Sequence, residues 1–127
     1  MGTEMQHIQR DIQRCPRVAV YGTLKQGQHN HYWLDGAPLL GTDRLTAITL
    51  YDLGPYPGAK AESSAGTVVE IYAINAEQLA LLDQLEGYLP HALGQELYNR
   101  AIFNTQHGKA WCYIYNSEVD EKTQLDW

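Results

Sequence analysis

The chain has 127 residues, 9 Lys+Arg against 15 Asp+Glu, and a formal charge of −6. That length fits one domain with its own core, needing neither disulfides nor a structural metal, and the acidic balance excludes sequence-independent nucleic-acid binding, which depends on clustered Lys and Arg. Hydrophobic residues at 44% with 19% charged exclude a disordered chain, and no apolar run approaches the ~20 residues of a membrane-spanning helix.

In chain order, residues 1–16 are rich in Gln and charge and end at Pro16. Met5, Ile8 and Ile12 recur at helical spacing, so Met5–Arg14 is either a helix or a flexible N-terminal arm. Met1–Arg14 lacks the apolar region of a signal peptide, and a cytoplasmic protein is expected. Arg17–Tyr21 reads as a short buried strand stopped by Gly22. A polar loop follows, with one helical turn around His31–Leu34. Leu39–Leu53 carries one or two strands. The segment Gly54-Pro55-Tyr56-Pro57-Gly58 is expected to be irregular, because its prolines remove donors.

Thr67–Ala73 is the clearest strand. Ala76–Glu86 is the one segment that reads firmly as a helix: Asn75 is an N-cap, Gln78 completes a box-like pattern, and Gly87 is a stop. Tyr98–Thr105 and Lys109–Tyr115 form an antiparallel hairpin. The expected organisation is an arm over 1–16, a domain over 17–116 and a polar tail over 117–127. The expected class is α+β, a small mixed β-barrel with one principal flanking helix. Cys15 and Cys112 form no metal or redox motif and read as free thiols of a reducing compartment. Nine Tyr and three Trp against one Phe suit strands lining a half-wet cavity.

Chemistry concentrates in two places. At ~100° per residue, Glu86 projects between Leu79 and Leu82 on the apolar face of its helix. An unpaired carboxylate there is costly, so its pKa should rise toward neutrality and ready it for proton transfer. The alternatives are a fraying last-turn residue or a structural pair with an Arg such as Arg100. Asp83, three residues earlier, is either a boundary residue or the second member of a carboxylate dyad. The other place is Tyr21-Gly22-Thr23-Leu24, where a strand runs into a Gly turn. Its N–H groups either form a nest for a carboxylate or oxyanion or belong to an ordinary turn.

Other patterns carry less. Gly22 and Gly27 flank four residues, but Gln28 and His29 follow where a nucleotide loop needs Lys and Ser/Thr. His29 and His31 have no third ligand at recognisable spacing, so no metal site is expected. Ser63 and Ser64 lack a nucleophile elbow. Trp111, Tyr113 and Tyr115 share one face of the last strand, as core or as a pocket wall.

Three blocks in fixed order bind these features together: Val20-Tyr21-Gly22-Thr23-Leu24, then Tyr51-Asp52-Leu53-Gly54-Pro55-Tyr56-Pro57-Gly58-Ala59, then Leu82-Asp83-Gln84-Leu85-Glu86-Gly87-Tyr88, supported by Gly66–Tyr72, Tyr98, Arg100, Trp111 and Tyr113. Over roughly Arg17–Asn116 the sequence resembles the gamma-glutamylcyclotransferase-like superfamily, in the branch of the gamma-glutamylamine cyclotransferases and the plant avirulence-induced type. The resemblance implies a compact mixed barrel with a cavity at one mouth. It also implies a catalytic acid/base at Glu86 and a substrate-binding segment at Tyr21, Gly22, Thr23 and Leu24 that acts through backbone groups.

The implied reaction is cyclisation of a γ-glutamyl amide to 5-oxoproline and a free amine, with no cofactor and no metal. Two other readings compete. One is a non-catalytic binding or regulatory module of the same fold, and the other a hydrolase using Asp83 and Glu86. The expected partner is a small γ-glutamyl amide, with neither nucleic acid nor membrane. A monomer is expected, a dimer through an exposed apolar face being the alternative. His91-Ala92-Leu93-Gly94 follows the site helix, and the resemblance implies that such loops vary with the leaving group.

Overall fold

The strand after Pro16, β1 (Arg17–Val20), is central to a five-stranded sheet. In this computed structural model, residues 3–25, 27–28, 31–54, 57–86 and 98–125 are described. β1 is flanked by β5 (Thr67–Ala73), antiparallel, and β7 (Gly108–Tyr115), parallel, with Val18 opposite Trp111. β2 (Leu39–Leu45) and β6 (Tyr98–Thr105) lie outside them, giving the order β2-β5-β1-β7-β6. A second sheet holds β3 (Thr49–Asp52) between β4 (Pro57–Lys60) and β8 (Gln124–Leu125).

Side chains alternate along a strand, and here both faces are covered. Val18, Val20, Tyr72, Trp111 and Tyr113 face one core with Leu79 and Leu82 of α2 (Ala76–Leu85). Ala19, Tyr21, Val69, Ile71, Ala110 and Cys112 face the other, with Leu50 and Ala59 of the small sheet. The result is three layers: helices, large sheet, small sheet. It explains why the run Val18-Ala19-Val20 is apolar without alternation.

Three expectations are corrected or narrowed. Among the described residues, the sheet does not close into a barrel. The strands divide into two sheets, and the larger stays open with β2 and β6 as its edges. The β6–β7 turn still reaches β2: Gln106 donates its backbone N–H to Asp43 (2.9 Å), and Gln106 Nε2 and His107 Nε2 donate to the Thr42 carbonyl (2.9 and 3.1 Å). Polar contacts hold the corner where a ladder would close a barrel.

Second, of the helix and the flexible arm expected at the N-terminus, the described residues take the helix. This is α1 (Thr3–Arg14), which packs on α2 and sets Ile8 and Ile12 against the core. Third, Pro57 and Gly58 open β4 rather than stay irregular. β4 is an edge strand, and a missing N–H is tolerated at its first residue. Residues 117–127 also hold structure: a 3-10 turn, Glu121–Thr123, precedes β8, which pairs with β3. Among the described residues, no helix is long and apolar enough to cross a membrane. Cys15 and Cys112 are both buried and free.

Candidate active site

The helix α2 starts on a complete capping box. Asn75 accepts the Gln78 N–H (2.8 Å), and the Gln78 side chain accepts the Asn75 N–H (2.9 Å). With its start fixed and Leu79 and Leu82 fully buried, the far end of α2 is aimed by packing. Glu86 is the C-cap, at φ −86 and ψ −2, with its N–H on the Leu82 carbonyl (2.9 Å). Its side chain is half-buried. Burial raises the carboxyl from the ordinary 4.5 to about 7. Among the described residues, the carboxylate has no ion pair or hydrogen bond.

Arg100 does not serve Glu86. Its guanidinium is fully buried and bidentate on Asp83, with Nε to Oδ1 at 2.8 Å and Nη2 to Oδ2 at 3.0 Å. Nη2 also meets Asp11 Oδ2 of α1 at 3.0 Å. The Tyr113 hydroxyl donates to Asp83 Oδ1 (2.6 Å), and the guanidinium lies 4.5 Å from the centre of the Trp111 ring. Asp83 is therefore a neutralised, saturated carboxylate and not a boundary residue. The pairing was not legible because Asp83 sits only at the edge of the apolar arc, and nothing in the sequence ties Asp11 to residue 100. The available signal was Asp11 lying next to Ile12 on the apolar side of α1.

The second element lies where β1 stops. Gly22 takes φ +62 and opens a 3-10 turn, Gly22–Leu24, closed by the Lys25 N–H on the Gly22 carbonyl (3.2 Å). A Cβ at Gly22 would lie 2.6 Å from Pro57 Cγ, so both conformation and close approach demand glycine. The leading N–H groups of such a turn have no partner within it. Tyr21 is an anchor: its hydroxyl donates to the Tyr113 carbonyl (2.7 Å) and accepts the Ala59 N–H (3.2 Å). Leu24 buries its side chain in the helix-side core, and its carbonyl accepts from His31 Nδ1 (2.9 Å), which must carry the proton. The Thr23 side chain lies outside the described part of the structure, as do Asn30, Pro55, Tyr56, Gly87, Tyr88 and His91–Gly94.

The two elements are coupled electrostatically. Burial chiefly, and the Glu86 charge in addition, push up the pKa values of Tyr21, Cys112 (to about 12) and Tyr113. The Glu86 charge thus acts on the residue that ends β1 and on the adjoining part of β7. Trp111 and Tyr113 are core residues, while Tyr115 stacks at a tilt on Tyr98, with ring centres 5.4 Å apart. The Tyr98 hydroxyl donates to the Pro57 carbonyl (3.4 Å). His31 spends Nδ1 on Leu24, and His29 lies outside the described residues. No cluster of three or more His, Cys, Asp or Glu suited to a metal ion is found among those described.

The arrangement offers one half-buried carboxyl with a raised pKa and, at the end of β1, a glycine turn. The chain is similar over most of its length to proteins of known sequence. The family model described as gamma-glutamyl cyclotransferase, AIG2-like, matches residues 18–127. The gamma-glutamylcyclotransferase family protein YtfP of Escherichia coli (strain K12) is 41% identical over 105 residues, 82% of this chain and 86% of that protein. The gamma-L-glutamyl-butirosin B gamma-glutamyl cyclotransferase of Niallia circulans is 33% identical over 118 residues, 88% of this chain and 75% of that protein. The crystal structure of the uncharacterized protein PH0828 from Pyrococcus horikoshii superposes with a TM-score of 0.70 at 28% identity, covering 86% of this chain and 84% of that one.

Proposed function

Because the chain belongs to the gamma-glutamyl cyclotransferase, AIG2-like family, we propose that it cleaves a γ-glutamyl amide by intramolecular cyclisation, releasing 5-oxoproline and a free amine. The substrate's α-amine attacks its own γ-carbonyl carbon. A C–N bond forms, the carbonyl π pair moves to oxygen, and the tetrahedral intermediate then expels the original amide nitrogen. The nucleophile is already tethered, and holding it in attack geometry lowers the barrier by up to ~7–11 kcal/mol.

Glu86 supplies the proton traffic. Ionised, it takes a proton from the α-ammonium, which has no lone pair until it does. Protonated, it returns that proton to the leaving nitrogen. The N–H groups of the Gly22–Leu24 turn stabilise the oxyanion. Tyr21 contributes by holding that turn, since both hydrogen-bonding roles of its hydroxyl are taken. Thr23 and Leu24 act through their backbone. The reaction as drawn needs no cofactor.

The observation that carries this reading is the half-buried Glu86 carboxyl, raised to about 7 beside the end of β1. A proton shuttle is most effective when its pKa lies near the working pH. A hydrolase using Asp83 and Glu86 on water is disfavoured, because Arg100 and Tyr113 already occupy both Asp83 oxygens. The N. circulans relative, whose name specifies gamma-L-glutamyl-butirosin B, supports the cyclotransferase kind. The leaving amine here is an amino acid, a lysine ε-amine or a larger acylated amine.

The test is incubation with a panel of γ-glutamyl amides differing in that amine, assayed for 5-oxoproline and for glutamate. We expect 5-oxoproline from at least one, and a 10²–10⁴-fold lower kcat in Glu86→Gln, about the range of general acid–base catalysis. Glutamate as the product would mean hydrolysis. Thermal stabilisation by an amide without turnover would mean a binding module. Wild-type turnover by the Gln variant would remove Glu86 from the mechanism.

A further inference from the structure

Beneath the last turn of α2 lies an ionic cluster that the proposed chemistry does not use. The Arg100 guanidinium is held between Asp83 of α2 and Asp11 of α1, and the three side chains are 0%, 10% and 7% exposed. Asp83 alone neutralises Arg100. A second buried carboxylate adds desolvation cost, so stability does not account for it. Its geometric effect is specific: it engages Nη2, the same nitrogen that one arm of the Asp83 fork uses, so the bidentate fork is held in one orientation. Asp83 is three residues before Glu86, on the same side of the helix.

Tyr113 completes the linkage. Its hydroxyl donates to Asp83 (2.6 Å), while its carbonyl accepts from Tyr21 (2.7 Å), the residue just before the Gly22 turn. One residue of β7 thus sets the spacing between the end of α2 and the end of β1. α1, which brings Asp11, lies ahead of the stretch that the family model matches, 18–127.

We propose that Asp11, Arg100, Asp83 and Tyr113 are positioning residues that fix Glu86 against the Gly22–Leu24 turn, and that α1 is part of the active-site scaffold. The inference rests on the reading of Glu86 as the acid/base. The charged and titratable groups facing this region are His7, Asp11, Asp83, Arg100, Tyr21, Cys112 and Tyr113.

The test uses the full chain with Asp11→Asn and, separately, Tyr113→Phe. Fold is checked by circular dichroism. The readouts are steady-state 5-oxoproline production and the titration of the Glu86 carboxyl by carbon NMR. In Asp11→Asn, kcat should fall about 10-fold or more with KM within about twofold, as for small misplacements of a reacting group. The Glu86 midpoint should fall by about half a unit or more, because a loosened helix end is better solvated and Arg100 loses a counter-charge. Tyr113→Phe should reproduce the kcat loss without a change in net charge, and it decides the matter if Asp11→Asn does not fold. A folded Asp11→Asn whose Glu86 titrates as in the wild type overturns the proposal, whatever its rate, as does an unchanged kcat. If no amide is turned over by the wild type, the functional reading fails alone and the titration still decides the positioning role.

Discussion

Glu86 carries a charge the fold resists, and this makes its effects on rate and on stability opposite in sign. Its folded-state pKa is about 7 against an ordinary 4.5. The native state therefore binds this proton more tightly than the unfolded chain. The associated stability is fully present below about 4.5, declines as pH rises, and is lost above about 7. Glu86→Gln, which stays neutral, should melt close to wild type at pH 4.5 and higher than wild type at pH 8, by on the order of 1–3 kcal/mol. Paired thermal melts at the two pH values check this. The rate runs the other way: kcat/KM should climb with pH through about 7 as Glu86 ionises, and a profile flat from 5 to 8 would exclude it as the base.

At the scale of elements, the 3-10 turn after β1 is the piece most exposed to a single change. Gly22→Ala must accommodate a side chain at φ +62 and within 2.6 Å of Pro57. We expect a loss of roughly 1–2 kcal/mol from conformation alone. A fall in kcat should accompany it, because Tyr21 and the turn move together; denaturant titration and 5-oxoproline assay measure the two effects. Much at this scale is legible from sequence. Thr67–Ala73 and Tyr98–Thr105 are strands over the expected residues because β-branched and aromatic side chains alternate between two cores. Asn75 and Gln78 mark the start of α2 because capping is a local interaction. The misread elements depend on distant partners. α1 is ordered by α2 and Arg100, and Pro57 begins a strand only because β3 lies beside it. In the candidate site, Glu86 and the Gly22 turn were legible from local pattern. Asp11 and Tyr113 were not, since their partners are distant in the chain: Arg100 lies 89 residues from Asp11, and Asp83 and Tyr21 lie 30 and 92 residues from Tyr113.

For the molecule as a whole, Arg100 ties together α1, α2 and the outer strand β6, while Tyr21 ties the large sheet to the small one through Ala59. Replacing Arg100 by Leu leaves two buried carboxylates facing each other. The expected cost is about 3–5 kcal/mol at neutral pH. It should shrink in acid as one carboxyl protonates, and urea denaturation at pH 7 and pH 4 measures both. The parallel pairing of Val18 with Trp111 has a further consequence. β1 precedes its neighbour β7 by all of β2–β6, so the large sheet cannot be completed until β7 has been made. A product halted before residue 108 leaves one edge of β1 unpaired for chaperones or proteases to recognise.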